Sequence, residues 1–267
     1  MAVQLQILSD LHLEAPPAYD VYQIPPRAPY LALLGDIGDS KSTGLINFFV
    51  RQLKNFDVVF FLLGNHEPYH SSWSDTKARL KAFAGHVAQR RQKEKNLGRF
   101  VFLDRTRYDI SDGVTVLGCT LYSNILDEQL EDVSFGLNDF YNIKDWDVHL
   151  HRQAHQSDLG WLNDQVRSIS RTEPQRKIII LSHHSPVFGG RATNPRYAKS
   201  PVSSGFATDL SAEECWTDPG VKLWAFGHTH YNCDYEDEKT GKHVMTNQRG
   251  YYFAQSVGFD EKKVITV

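Results

Sequence analysis

At 267 residues the chain is long enough for one large α/β core and only marginally long enough for two, so a single domain over 1–267 is expected. With 41% hydrophobic residues, 23% charged residues and a formal net charge of −3, its composition argues neither for a nucleic-acid glove nor for a disordered acidic tail, and leaves the partner open. Cys119, Cys215 and Cys233 form no CxxC pair and suggest neither a zinc ribbon nor a disulfide framework. No apolar run approaches the ~20 residues needed to span a bilayer, and the first strand begins within a few residues of Met1, so a cytoplasmic location is expected.

In chain order, "VQLQIL" (3–8) predicts a buried strand that runs into Ser9-Asp10-Leu11-His12. If strand geometry continues, Asp10 and His12 project to one side. "YLALL" (30–34) predicts a second strand, ending in Gly35-Asp36, and "STGLINFFVRQLKN" a helix with a Ser/Thr cap. "VVFFLL" (58–63) ends in Gly64-Asn65-His66-Glu67 and precedes the helical pattern "TKARLKAFAGHVAQRRQKEKN". "VTVLGCTL" (114–121) reads as a strand with Cys119 buried in it. An irregular acidic and aromatic stretch, 122–148, then leads to the helical "HQSDLGWLNDQVRSIS". "KIIIL" (177–181) ends in Ser182-His183-His184. A Gly-, Pro- and Ser-rich stretch, 185–220, precedes "KLWAF" (222–226) and Gly227-His228-Thr229-His230. Long connections in a compact domain are usually functional, so 122–148 and 185–220 are expected to be cap loops.

Five apolar runs thus end in oxygen or nitrogen donors. Each alone is weak: a lone Asp-x-His is more often structural, and a Gly-Asp is most often a turn. Five unrelated turns would rarely all choose such donors. In α/β architectures ligand sites gather outside the carboxyl ends of the strands, where these segments would converge. Carboxylate, imidazole and amide donors without thiolate suit Mn, Fe, Zn or Mg, in sufficient number for two ions. Two adjacent ions need a bridging carboxylate, and Asp36 is the natural one.

The ordered set Asp-x-His, Gly-Asp, Gly-Asn-His-Glu, a later His and Gly-His-x-His, over residues 9–230, resembles the calcineurin-like metallophosphoesterase superfamily. "VMTNQRGY" (244–251) is similar to an Asn-x-x-Gly-Tyr segment that often follows there. The resemblance implies a two-layer β-sandwich flanked by α-helices. It also implies Asp10, His12 and His230 around one metal, Asn65, His183 and His228 around the other, and Asp36 between them. His66 is implied as the residue that contacts the phosphate or protonates the leaving oxygen, and Asn65 as a further substrate contact. Of the pair His183-His184 the first is the better match.

The chain departs from the protein Ser/Thr phosphatases of that superfamily. They carry Gly after the first His, Arg after the second Asp of Gly-Asp-x-x-Asp, and Arg soon after Gly-Asn-His-Glu; here Leu13, Ser40 and Pro68-Tyr69-His70 stand in those places. Without those guanidinium groups a small phosphate ester, mono or di, is the expected substrate. Hydrolysis by a metal-bound hydroxide is the expected reaction.

Arg191, Arg196 and Lys199 are candidate phosphate contacts, with Arg191 and Arg196 preferred, and Tyr197, Phe135, Phe140 and Tyr141 are lid or core candidates. The basic stretch 77–99 reads as a solvated helix face, His149, His151 and His155 as surface, and Glu67 and His70 as residues that orient ligands. A metal-dependent nuclease, motivated by the basic stretch, and a non-catalytic interaction protein keeping the fold are the alternatives, so nucleic acid is a possible but disfavoured partner. No membrane partner is expected, and the oligomeric state is open.

Overall fold

The computed structural model describes residues 2–189, 191–197 and 199–267. Its first four strands are β1 (Gln4–Leu8), β2 (Tyr30–Leu34), β3 (Val58–Leu62) and β4 (Arg99–Phe102). They pair in parallel in that order. The next six are β5 (Thr106–Ser111), β6 (Val114–Gly118), β7 (Lys177–Leu181), β8 (Val221–Phe226), β9 (Asp234–Glu236) and β10 (His243–Thr246). These form a second sheet in the order β5-β6-β7-β8-β10-β9. In it β6, β7, β8 and β10 are parallel, with β5 and β9 antiparallel at the edges. A two-stranded ribbon of β11 (Gly250–Tyr251) and β12 (Ala254–Gln255) follows, and β13 (Val264–Thr266) returns antiparallel to β1.

The apolar runs carry no polar face because both faces of each sheet are covered. Alternation still sorts their residues. Leu5, Ile7, Ala32, Leu34, Phe60 and Leu62 of the first sheet meet Val116, Ile179, Leu181, Leu223, Ala225 and Met245 of the second in one core. The intervening residues of the first sheet, among them Leu31, Leu33, Val59 and Phe61, pack outward on α1 (Thr43–Gln52) and α2 (Trp73–Lys93). Leu45, Phe48 and Phe49 of α1 and Leu80, Phe83 and Val87 of α2 face them. The result is a two-layer β-sandwich with helices outside each sheet.

The stretch 122–148 holds two short helices, α3 (Leu130–Gly136) and α4 (Asp139–Asn142). Next comes α5 (Val148–Thr172), whose Leu162, Val166 and Ile169 cover the outer face of the second sheet. The stretch 185–220 carries α6 (Glu214–Thr217) and 3-10 turns. The two irregular stretches meet in a separate small core where Val133 and Leu137 pack with Val202 and Phe206.

The helix expected from 155 starts earlier, because Asp147 caps it by accepting from His149 N (2.9 Å) and Leu150 N (2.8 Å). That extension overturns the surface reading of two histidines. His151 and His155 are each 1% exposed on the inner side of α5, and only His149 faces solvent. His151 Nε2 takes the Ser123 amide (3.0 Å) and His155 Nδ1 donates to the Leu121 carbonyl (2.9 Å), so they support the chain after β6. That strand ends at Gly118, leaving Cys119 buried just beyond it.

Candidate metal centre

Parallel strands end at a common edge, and the turns after β1, β2, β3, β7 and β8 carry Asp10 and His12, Asp36, Asn65 and His66, His183, and His228 and His230 to it. Strand geometry does not continue through Asp10 to His12. Both adopt left-handed backbone (φ 52° and 46°), as do Asp36 (53°), His228 (70°) and His230 (48°). Left-handed backbone at a non-glycine residue costs about 1–3 kcal/mol, and here it falls on five of the site residues. Gly64 has no Cβ for a physical reason: one would collide with the Asp36 carboxylate and the His183 ring.

Three groups of donor atoms result, each with all atoms within 4.8 Å of one another: Asp10, His12 and His230; His12, Asp36 and His66; and Asp36, His183 and His228. Asp36 belongs to two of them and lies between the others. Its Oδ2 is 3.5 Å from His183 Nε2 and 3.9 Å from His12 Nε2. His230 Nε2 is 3.3 Å from Asp10 Oδ1, and the amide oxygen of Asn65 is 3.1 Å from His183 Nε2. His183 faces Asp36 while His184 turns away, its ring tilted against that of His228 and both its nitrogens unpartnered.

These residues fit metal ions. His12 Nε2 and His230 Nε2 oppose each other at 3.1 Å, and His228 Nε2 is buried with no hydrogen-bond partner. Two facing imidazole nitrogens need a proton or a cation between them. The electrostatics make the same demand. Burial raises the Asp36 pKa, but His183, His66 and His12 outweigh it and hold the carboxyl well below its usual range. Burial would lower the His183 pKa, yet Asp36 and Asp10 lift it to about 9. The buried carboxylates thus draw positive charge to the imidazoles, the place an ion would take.

Glu67 fixes the turn that carries Asp36. Its buried carboxylate accepts from the amides of Ile37 (2.7 Å), Gly64 (2.7 Å), Asp36 (3.1 Å) and Gly38 (3.4 Å). His70, expected to orient ligands too, is exposed and makes no contact with the donor groups.

His66 is gripped on every side. Glu14 Oε1 accepts from its Nδ1 (3.2 Å) and from His12 Nδ1 (3.2 Å), Tyr69 stacks on the ring at 4.4 Å, and the Tyr251 hydroxyl meets Nε2 at 3.1 Å. Burial opposes the imidazolium, but Asp36 and Glu14 raise the His66 pKa to about 9. The sequence reading assigned nothing to Glu14 and Tyr251. Tyr251 closes the quoted "NQRGY" segment, and Glu14 stands four residues after Asp10, so the signal lay beside known motifs.

A cavity of about 910 Å³ opens on Asp36, Asn65, His66, His228 and His230. Leu137, Phe188, Tyr197, Val202, Phe206 and Tyr251 form much of its wall. Arg196 lines it, the only Arg or Lys among the described lining residues, and stacks on Tyr197. Arg191 and Lys199 do not line it; Arg191 pairs with Glu238 at 2.8 Å. Tyr197 is a wall residue, Phe140 packs in the small core between the irregular stretches, and Phe135 and Tyr141 are exposed outside the cavity. The basic stretch is largely engaged: Lys77 and Lys81 pair with Asp104, and Arg90 with Glu94.

A sandwich with acidic and imidazole groups gathered at one strand edge defines a class of two-metal hydrolytic scaffolds. A family model, calcineurin-like phosphoesterase, matches residues 5–232, and the chain belongs to that family. An uncharacterized protein of Acanthamoeba polyphaga mimivirus is 29% identical over 270 residues, covering 92% of this chain and 91% of its own. Among solved structures, a phosphopantetheinyl hydrolase from Mycobacterium tuberculosis superposes with a TM-score of 0.63 at 13% identity, over 93% of this chain and 89% of that one. A dimetal phosphatase from Danio rerio gives a TM-score of 0.54 at 14% identity, over 93% and 88%. The family implies a dinuclear metal centre and hydrolysis of phosphate esters. Among the described residues no helix is long and apolar enough to cross a membrane.

Proposed function

We propose that the protein hydrolyses small phosphate esters, diesters in preference to monoesters, at two ions of Mn, Fe, Zn or Mg. One ion would be held by Asp10, His12 and His230, the other by Asn65, His183 and His228, with Asp36 shared. The observation that carries this reading is the presence of adjacent donor groups sharing Asp36 beside a cavity of about 910 Å³. When bound, the ions supply Lewis acidity that activates water and neutralises the phosphoryl oxygens. With a single guanidinium among the described residues of the cavity wall, charge neutralisation would fall to the ions, unlike a site built on arginine forks.

The chain's own residues do the rest. Glu14 accepts from His66 Nδ1 and so leaves Nε2 toward the cavity, where it can donate a proton to the departing oxygen while Tyr251 holds the ring's angle. The cavity exceeds what a phosphate group alone requires and suits an ester with a sizeable second arm, with 122–148 and 185–220 as its cap. The three cysteines are free, which accords with work in the reducing cytoplasm.

The test is hydrolysis of bis(4-nitrophenyl) phosphate and 4-nitrophenyl phosphate, then nucleotides and cyclic nucleotides, by chelated protein reloaded with defined metals. Turnover is expected to require metal and to favour the diester. His66→Ala is expected to lower kcat about 10²–10⁴-fold. Absence of metal-dependent hydrolysis across the series sinks the reading.

A further inference from the structure

Among the groups around the donor cluster, one acid comes from a stretch with no motif. Asp139 is the first residue of α4, 3% exposed, and touches none of the atoms that face the candidate ion positions except through Asn65. Its Oδ1 accepts from Asn65 Nδ2 (2.7 Å) and from the Tyr69 hydroxyl (2.7 Å). A carboxylate only accepts, so the amide nitrogen of Asn65 must face Asp139 and its oxygen must face His183 Nε2, 3.1 Å away. Were Asn65 to turn over, its NH₂ would point at the ion and its oxygen at a carboxylate.

The position of Asp139 is itself fixed from two directions. The backbone after α4 is stitched to the turn following Asn65, with His70 N donating to Asn142 O (2.7 Å) and Lys144 N to Ser71 O (2.8 Å). Ahead of α4, Leu137 packs with Val133, Val202 and Phe206, and Leu137 and Asn138 line the cavity. The same short segment therefore forms wall and support.

We infer that Asp139 is a positioning residue for the second ion: it locks Asn65 in the one amide orientation that presents oxygen, and so ties occupancy of that site to the cap segment. The inference rests on the proposed ligand set. Outer partners of metal ligands typically contribute 10–100-fold in affinity, because a ligand free to rotate must be ordered on binding.

The experiment is Mn²⁺ titration of the metal-free full-length protein by calorimetry, with no substrate present. The wild type is expected to bind two ions. In Asp139→Leu, which removes the acceptor but keeps the branched shape, one ion is expected to weaken about 10–100-fold while the other is unchanged, and that unchanged ion reports an intact fold. Asp139→Asn, whose Oδ1 still accepts, is expected to retain both. In an Asn65→Ala background Asp139→Leu is expected to add nothing. Wild-type affinity for both ions in Asp139→Leu overturns the inference, as does equal loss of both ions. A wild type that binds fewer than two ions overturns instead the ligand set beneath it.

Discussion

Glu67 shows how a residue with no place at the ion positions still governs them. Four amides converge on its carboxylate and hold the Asp36 turn and Gly64 together. Burial and then Asp36 push its pKa up to about 8, while His183 and the amides pull the other way; four N–H donors are complementary only to the anion. Glu67→Gln turns an NH₂ group against those amides and is expected to destabilise the fold by about 2–3 kcal/mol, read from urea midpoints. It should also weaken metal binding. The motif Gly-Asn-His-Glu made Glu67 visible in the sequence, but only the folded turn gives it this work. Asp139 accepts from Asn65 and has no motif, because its partner lies 74 positions away.

At the scale of elements, α5 is the clearest case of burial changing a residue's chemistry. Burial and then the neighbouring His155 lower the His151 pKa to about 3, and burial lowers that of His155 as well. In the unfolded chain a histidine titrates near 6.5. A depressed folded pKa gives stability that is complete above about 6.5 and is lost as pH falls toward about 3. The loss for His151 is on the order of 3–5 kcal/mol. His151→Gln, which can still accept from Ser123, is expected to flatten unfolding stability between pH 6.5 and 4 in urea titrations. An unchanged slope would show that His151 is not held neutral. His151 and His155 look like a surface pair in sequence, one turn apart among polar neighbours. Only the packing of α5 against the segment after β6 shows which face is inward.

Across the whole molecule the site joins the two sheets. Asp10, His12, Asp36 and Asn65 follow strands of the first, and His183, His228 and His230 follow strands of the second. The backbone crosses there too: Ser9 N donates to Asn247 O, and Gly250 N to Asp10 O, each at 3.0 Å. An ion held from both sides binds the folded form alone. At 100 times its dissociation constant it is expected to stabilise by about 2.7 kcal/mol. In a thermal melt of a chain this size that is a rise of several degrees, removed by chelation. A melting temperature indifferent to metal would count against ligands drawn from both sheets.

The sequence by itself determined the buried strands, the helices α1 and α2, and the donors at five strand ends, because apolar runs and the side chains that follow them are local features. It also pointed to a fold that the structure bears out. Short polar strands such as β5 and β9 and the edge strand β13 were not legible, since their pairing partners lie far off in the chain. Only the tertiary structure decided that Arg191 pairs with Glu238 instead of lining the cavity, that Tyr251 and Asp139 line it, and that Glu14 braces His12 and His66. Those placements depend on contacts between residues tens to hundreds of positions apart, which no local pattern encodes.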